Sequence, residues 1–170
     1  MRIPLWTCAF ALLLIPLIAM QFTSEVEWTL SDFVFAAVMI GGAGVAYEIS
    51  LRLSASWAYR AGAAVAVLAA FLLIWINAAV GIIGDEGNVW NLMFASVLLV
   101  AFVLALFGRL TPRGMARAMF AAACVQVLVG AVAIIGGLGL PDSGPLEMAG
   151  LTGIFTAFWL AAGWLFRRAS

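Results

Sequence analysis

Glu48, in the run Ala46-Tyr47-Glu48-Ile49-Ser50, is an ionisable residue set inside a long apolar stretch. A carboxylate at membrane depth is costly and can serve as a proton relay. Arg52 follows at i+4, the spacing of a helix-surface ion pair. Counted back from Arg52, Glu48 lies only about 6 Å inside the helix end at 1.5 Å per residue. The spacing therefore predicts an interfacial salt bridge; the alternative is a protonated carboxyl aimed into a bundle. Asn77 and Gln126 are the other conspicuous polar residues. Asn77 is flanked by Leu73 and Gly81, and Gln126 by Ala122 and Gly130, each at four-residue spacing. That pattern predicts amides that face neighbouring helices and bond them, at roughly 0.6–2 kcal/mol per bond. The functional alternative is a polar lining for a solute path.

Other chemistries lack carriers. The chain has no His, the usual general base and the commonest metal ligand. It has no Lys either, so a Ser or Cys nucleophile would lack its usual activating partner. An intramembrane aspartyl enzyme needs two buried carboxylates, and only Glu48 is a candidate. Cys8 and Cys124 sit in apolar runs without metal-site spacing and read as small hydrophobes. The acidic loops lack the ligand spacing of a calcium loop. No catalytic, cofactor or metal residue is therefore expected, and the chain is read as a non-enzyme. Zero net charge and the absence of a basic stripe with interleaved aromatics argue against a nucleic-acid partner.

The elements that must position these residues follow from composition. Of 170 residues, 66% are hydrophobic and 9% charged, against about 25% charged in ordinary globular chains. So few charges cannot cover a soluble surface of this size. A spanning helix needs roughly 20 mostly apolar residues, and six stretches qualify: 3–20, 33–51, 61–83, 89–108, 118–140 and 148–166. The joints carry breaker or charge signals, such as Asp85-Glu86-Gly87-Asn88 and Pro141-Asp142-Ser143-Gly144-Pro145. The expected fold is an all-α integral membrane protein, a compact bundle of about six transmembrane helices forming one domain over 1–170. No segment alternates with period two, which argues against a membrane β-barrel.

Arg2, Arg52, Arg60, Arg109, Arg113, Arg117, Arg167 and Arg168 all fall at the two ends or in the second and fourth loops. Glu25, Glu27, Asp32, Asp85, Glu86, Asp142 and Glu147 mark the remaining loops. The positive-inside rule then places both termini in the cytoplasm. Arg109, Arg113 and Arg117 are expected to meet anionic lipid headgroups, at about 1 kcal/mol each. The first stretch, with Arg2 before an apolar core and Gln21 after it, also has the outline of a secretory signal. The poor cleavage site in Leu17-Ile18-Ala19-Met20 favours a retained helix.

Small residues should mark the packing faces, because water drives no association inside lipid. Candidate stripes are Ala37, Gly41 and Gly44; Gly62, Ala66 and Ala70; Ala118, Ala122, Gly130 and Ala133; and Gly153, Ala157 and Ala161. Trp6, Trp28, Trp57, Tyr59, Trp90 and Trp164 lie near helix ends, where aromatic rings suit the headgroup zone, whereas Trp75 and Trp159 lie deeper. A shift of 57 positions aligns Arg52-Leu53-Ser54 with Arg109-Leu110-Thr111 and Asp85 with Asp142. Parallel repeats of this kind occur in some transporters, but any array of alternating hairpins acquires matching charges at its joints.

The run Trp75-Ile76-Asn77-Ala78-Ala79-Val80-Gly81-Ile82-Ile83-Gly84-Asp85-Glu86-Gly87-Asn88, with Trp28-Thr29-Leu30-Ser31-Asp32-Phe33 and Tyr47-Glu48 upstream, resembles small uncharacterised multi-spanning proteins of bacterial inner membranes. The likeness covers roughly residues 28–139. It implies a bacterial inner membrane, and with no activity assigned to that group it transfers no role to any residue. The expected function is that of an accessory or scaffold subunit working through helix contacts, with membrane lipids, another membrane protein or a second copy as partners. The rival expectation is a small-solute or ion transporter using Glu48, Asn77 and Gln126.

Overall fold

The computed structural model describes residues 2–23 and 27–170. Among them the chain forms six α-helices: α1 (Arg2–Ala19), α2 (Leu30–Leu53), α3 (Trp57–Ala79), α4 (Phe94–Phe107), α5 (Pro112–Ile135) and α6 (Pro145–Arg168). A short 3-10 helix, Val89–Met93, leads into α4. Five of these helical segments are long and apolar enough to cross a membrane: Leu30–Leu53, Trp57–Ala79, Val89–Phe107, Pro112–Ile135 and Pro145–Arg168. The protein is a multi-pass, all-α membrane protein. The side chains of Arg2 and Cys8, and residues Ser24 and Glu25, lie outside the described residues.

The chain divides into two compact units, Met1–Arg52 and Leu53–Ser170. In the first, the start of α2 is capped by Asp32. Thr29 precedes the helix, and its backbone N–H and hydroxyl both donate to Asp32 Oδ2, each at 2.7 Å. An acid at the third helical position thus satisfies a donor that the helix leaves free. A Cβ added at Gly41 or Gly42 would meet nothing within 4 Å, so nothing packs tightly against these two glycines.

The second unit is a four-helix bundle. α6 lies between α3 and α5, and α5 packs in turn on α4. Gly62 of α3 meets Ala162, Leu165 and Phe166 of α6, while Gly163 of α6 meets Phe120 of α5. Those pairings run the neighbours antiparallel. Arg60, Arg109, Arg113, Arg167 and Arg168 therefore gather at one end, and Asp85, Glu86, Asp142 and Glu147 at the other.

Packing here follows size complementarity. Met148, Phe155, Trp159 and Phe166 of α6 are buried against a bundle whose α5 face carries Ala118, Ala122, Gly130 and Ala133, all buried. Lipid tails are as apolar as these side chains, so the gain is close van der Waals contact rather than escape from water. The expected α6 stripe is corrected by this arrangement. Gly153, Ala157 and Ala161 are exposed, and a Cβ at Gly153 meets nothing within 4 Å. Large rings seated on a partner's small residues fill the interface, which turns the small face of α6 outward. Tyr59 is likewise corrected. It is buried, with its ring edge-on to Phe166 at 5.0 Å and its hydroxyl donating to the Leu110 carbonyl at 2.7 Å.

Several helix ends differ from the apolar stretches of the sequence. α3 stops at Ala79 rather than 83, because Gly81 (φ +82°) and Gly84 (φ +70°) turn the chain through backbone conformations that glycine adopts freely. α4 begins at Phe94, after the 3-10 turn. α5 begins at Pro112 rather than 118. The Thr111 hydroxyl accepts from Gly114 N–H at 3.2 Å, and proline at the first helical position loses no needed donor.

Candidate functional site

Glu48 sits near the end of α2, where one helical turn carries it back from Arg52. Its carboxylate is 2.6 Å from the Arg52 guanidinium and accepts the Trp6 indole N–H at 3.3 Å. Trp6 lies at the start of α1, so this carboxylate ties α1 to α2. The expected ion pair is present, and the indole reinforces it.

A largely apolar pocket lies in the second unit, where α3 ends and α4 begins. It is an open groove of about 540 Å³ lined by Leu73, Ile74, Asn77 and Ala78 of α3, by residues 86–89 and 91–92 of the connection, and by Phe94, Ala95 and Leu98 of α4. That volume falls in the range of about 300–1,000 Å³ typical of small-molecule sites. α3 packs mainly on α6, and α4 on α5. Their outer ends are bridged by the 80–93 connection rather than closed on each other.

Asn91 builds this connection. Its Oδ1 accepts from the backbone N–H groups of Ile82 (3.0 Å) and Ile83 (2.9 Å), and its Nδ2 donates to the carbonyls of Ile83 (3.2 Å) and Asp85 (2.7 Å). A buried amide that makes all these bonds stands in for a missing strand or helix partner. Asn88 Oδ1 accepts from Trp90 N–H at 3.0 Å, and its Nδ2 donates to the Leu138 carbonyl at 2.9 Å. The Ser143 hydroxyl donates to the Gly84 carbonyl at 3.1 Å. The two outer loops of the bundle are thereby stitched together. Neither Asn91 nor Ser143 stands out in the sequence, because their partners are backbone groups brought close only by the turn.

Asn77 departs from expectation. Its Nδ2 donates to Leu73 O of its own helix at 2.6 Å, and its Oδ1 is buried without a hydrogen-bond partner among the described residues. It faces the cavity wall rather than bonding another helix. Gln126 is wholly buried on α5, yet neither its Oε1 nor its Nε2 has a partner among the described residues. Thr152 Oγ1 and Trp159 Nε1, both on the buried face of α6, share that condition. Glu48 belongs to the first unit, Asn77 to the pocket wall of the second, and Gln126 to the buried face of α5.

Arg109, Arg113 and Arg117 are exposed near the α4–α5 turn. Arg109 and Leu110 both hold positive φ (51° and 55°) there, where Gly108 and Gly114 pack backbone on backbone. Arg168 lies over the Trp164 ring, 3.8 Å from its centroid, a cation–π contact suited to the headgroup zone. Cys124 is exposed on α5. Among the described residues no three His, Cys, Asp or Glu side chains converge as a metal site would require. No family model, curated protein or solved structure matches the chain.

Proposed function

We propose that this chain is a non-enzymatic accessory or scaffold subunit that works through helix contacts in a bacterial inner membrane, with both ends in the cytoplasm. One observation carries the reading: the outward face of α6 presents Gly150, Gly153, Ala157 and Ala161, all exposed, while its opposite face is filled by the bundle. In lipid, small residues at this spacing let another backbone approach closely. The rest of the molecule fits a contact role. Its loops are short, and its one intramembrane carboxylate is spent on Arg52 and Trp6.

The test is a cysteine at Ala157 in a chain lacking Cys8 and Cys124, oxidised in native membranes. A crosslinked adduct, to a second copy or to another membrane protein, is the expected result. A chain that stays uncrosslinked and runs as a monomer in mild detergent overturns the reading. The second reading, small-solute or ion transport, draws support from the unpartnered buried groups of Gln126, Thr152 and Trp159. It predicts that a cysteine at Gln126 reacts readily with small polar thiol reagents in intact membranes.

A further inference from the structure

Arg109, Arg113 and Arg117 form one group rather than three separate contacts. Gly108 and Gly114 touch backbone to backbone, which draws their chain neighbours Arg109 and Arg113 together at the α4–α5 turn. Arg117 follows Arg113 by one turn of α5, and all three residues are exposed. The fold itself disfavours cations here. Arg113 and Arg117 are like charges at i,i+4, and Arg113 stands in the first turn of α5, where the helix dipole opposes positive charge. Nor does the second unit supply a counter-charge. Its carboxylates, Asp85, Glu86, Asp142 and Glu147, all lie at the other end. The 24 residues of α5 span about 36 Å, well beyond the screening distance of about 8 Å at physiological salt.

Three gathered guanidiniums without an acid of their own attract an external anion, and their planar forks match phosphate oxygens. The surroundings select the source of that phosphate. Leu106 and Phe107, just before the turn on α4, are exposed, Phe107 by 81%. Trp57 and Trp164 are exposed at the same end of the bundle, where aromatic rings suit the headgroup zone. Free phosphate would use the arginines alone, whereas a phospholipid uses both them and the apolar side chains beside them. We infer that the α4–α5 turn binds an anionic phospholipid, its phosphate held by Arg109, Arg113 and Arg117 and an acyl chain lying along Leu106 and Phe107.

The experiment measures binding of phosphatidylglycerol and phosphatidylcholine with identical acyl chains to the full chain in neutral maltoside micelles, with inorganic phosphate as competitor. An Arg near an anionic surface contributes about fivefold, so three partly screened ones should favour phosphatidylglycerol by about ten- to hundredfold. The preference should shrink as salt rises, and millimolar inorganic phosphate should not displace the lipid. Arg109→Asn, which suits the positive φ there, combined with Arg113→Gln and Arg117→Gln should abolish the preference. Arg117→Gln alone, which leaves the turn untouched, should weaken phosphatidylglycerol binding about fivefold. Arg167→Gln with Arg168→Gln removes two charges from the same end and should leave most of the preference. The inference is overturned if phosphatidylcholine binds as tightly, if inorganic phosphate displaces the lipid, if the triple variant keeps the preference, if Arg117→Gln changes nothing, or if the α6 pair lowers the preference as much as the triple variant does.

Discussion

Gly108 and Gly114 meet backbone to backbone across the α4–α5 turn, so close that a Cβ on either would lie 2.6 Å from the Cα of the other. No flexible side chain is there to yield. Gly114→Ala should therefore lower stability in detergent by about 1–3 kcal/mol, the usual cost of overpacking. Gly153→Ala, in open space on α6, should be neutral or slightly stabilising through its helix propensity. Thermal unfolding of the two variants side by side checks the contrast, and equal effects would contradict the packing described.

Tyr59→Phe keeps the ring against Phe166 and deletes only the hydroxyl that bonds the Leu110 carbonyl. A net loss of about 0.5–1.5 kcal/mol is expected for one such bond. Because Leu110 sits in the strained turn, proteolysis should also increase around residues 108–111. Unchanged unfolding and unchanged cleavage would mean that the bond contributes nothing.

Asn91→Leu removes four hydrogen bonds from the backbone groups of residues 82, 83 and 85. Hydrogen exchange should report it locally: protection of the Ile82 and Ile83 amides should fall, while the centre of α5 stays protected. The accompanying loss of stability should reach or exceed about 1–3 kcal/mol, the cost of one buried unsatisfied group. Asn91→Asp keeps the acceptor and should preserve more of the Ile82 and Ile83 protection than Asn91→Leu does.

Gln126 offers the opposite case. A buried amide with no partner bears its desolvation cost without return, so Gln126→Met, close in shape and apolar, should raise stability, by an amount on the order of 1 kcal/mol. A fall in stability would show that Gln126 has a bonding partner in the membrane.

Orientation can be read by impermeant maleimide on whole cells. Cysteines at Gly87 and Asp142, both exposed at the acidic end, should react from outside, and those at Ala55 and Ser170 should not. Ser143 is unsuitable as a reporter, since its side chain is buried and bonded to Gly84. The reverse pattern would invert the topology.

Much of the fold is legible in the sequence because two of its causes are local. Apolar length sets each span, and the segregation of Arg from acids marks alternate ends. The misjudged boundaries have a different origin. Ile82 and Ile83 look like a continuing helix, and only the positive-φ glycines around them, with Asn91 waiting nine residues on, end α3 sooner. Pro112 and Gly114 read as a break, although proline after a Thr cap is a start. On α6, the stripe through Gly153 and the one through Phe155 are equally periodic. Choosing between them requires knowing that α5 offers small residues to the rings. Of the polar residues, Glu48 and Arg52 are legible as an i,i+4 pair. Trp6 is not, because 42 residues separate it from Glu48. The cavity is invisible for a related reason: it is a space left between α3 and α4 by the partners each prefers.

Those preferences also set the order in which the bundle can be completed. α3 packs chiefly on α6, which leaves the ribosome only after α4 and α5. Until α6 is inserted, α3 must wait in the bilayer with Gly62 and Ala66 facing lipid or a chaperoning insertase, while α4 and α5 can already pair. A chain shortened before Pro145 would keep the α4–α5 hairpin and strand α3. Synthesis therefore leaves a window in which an unfinished chain displays an adhesive helix, and the 24-residue α6 closes it.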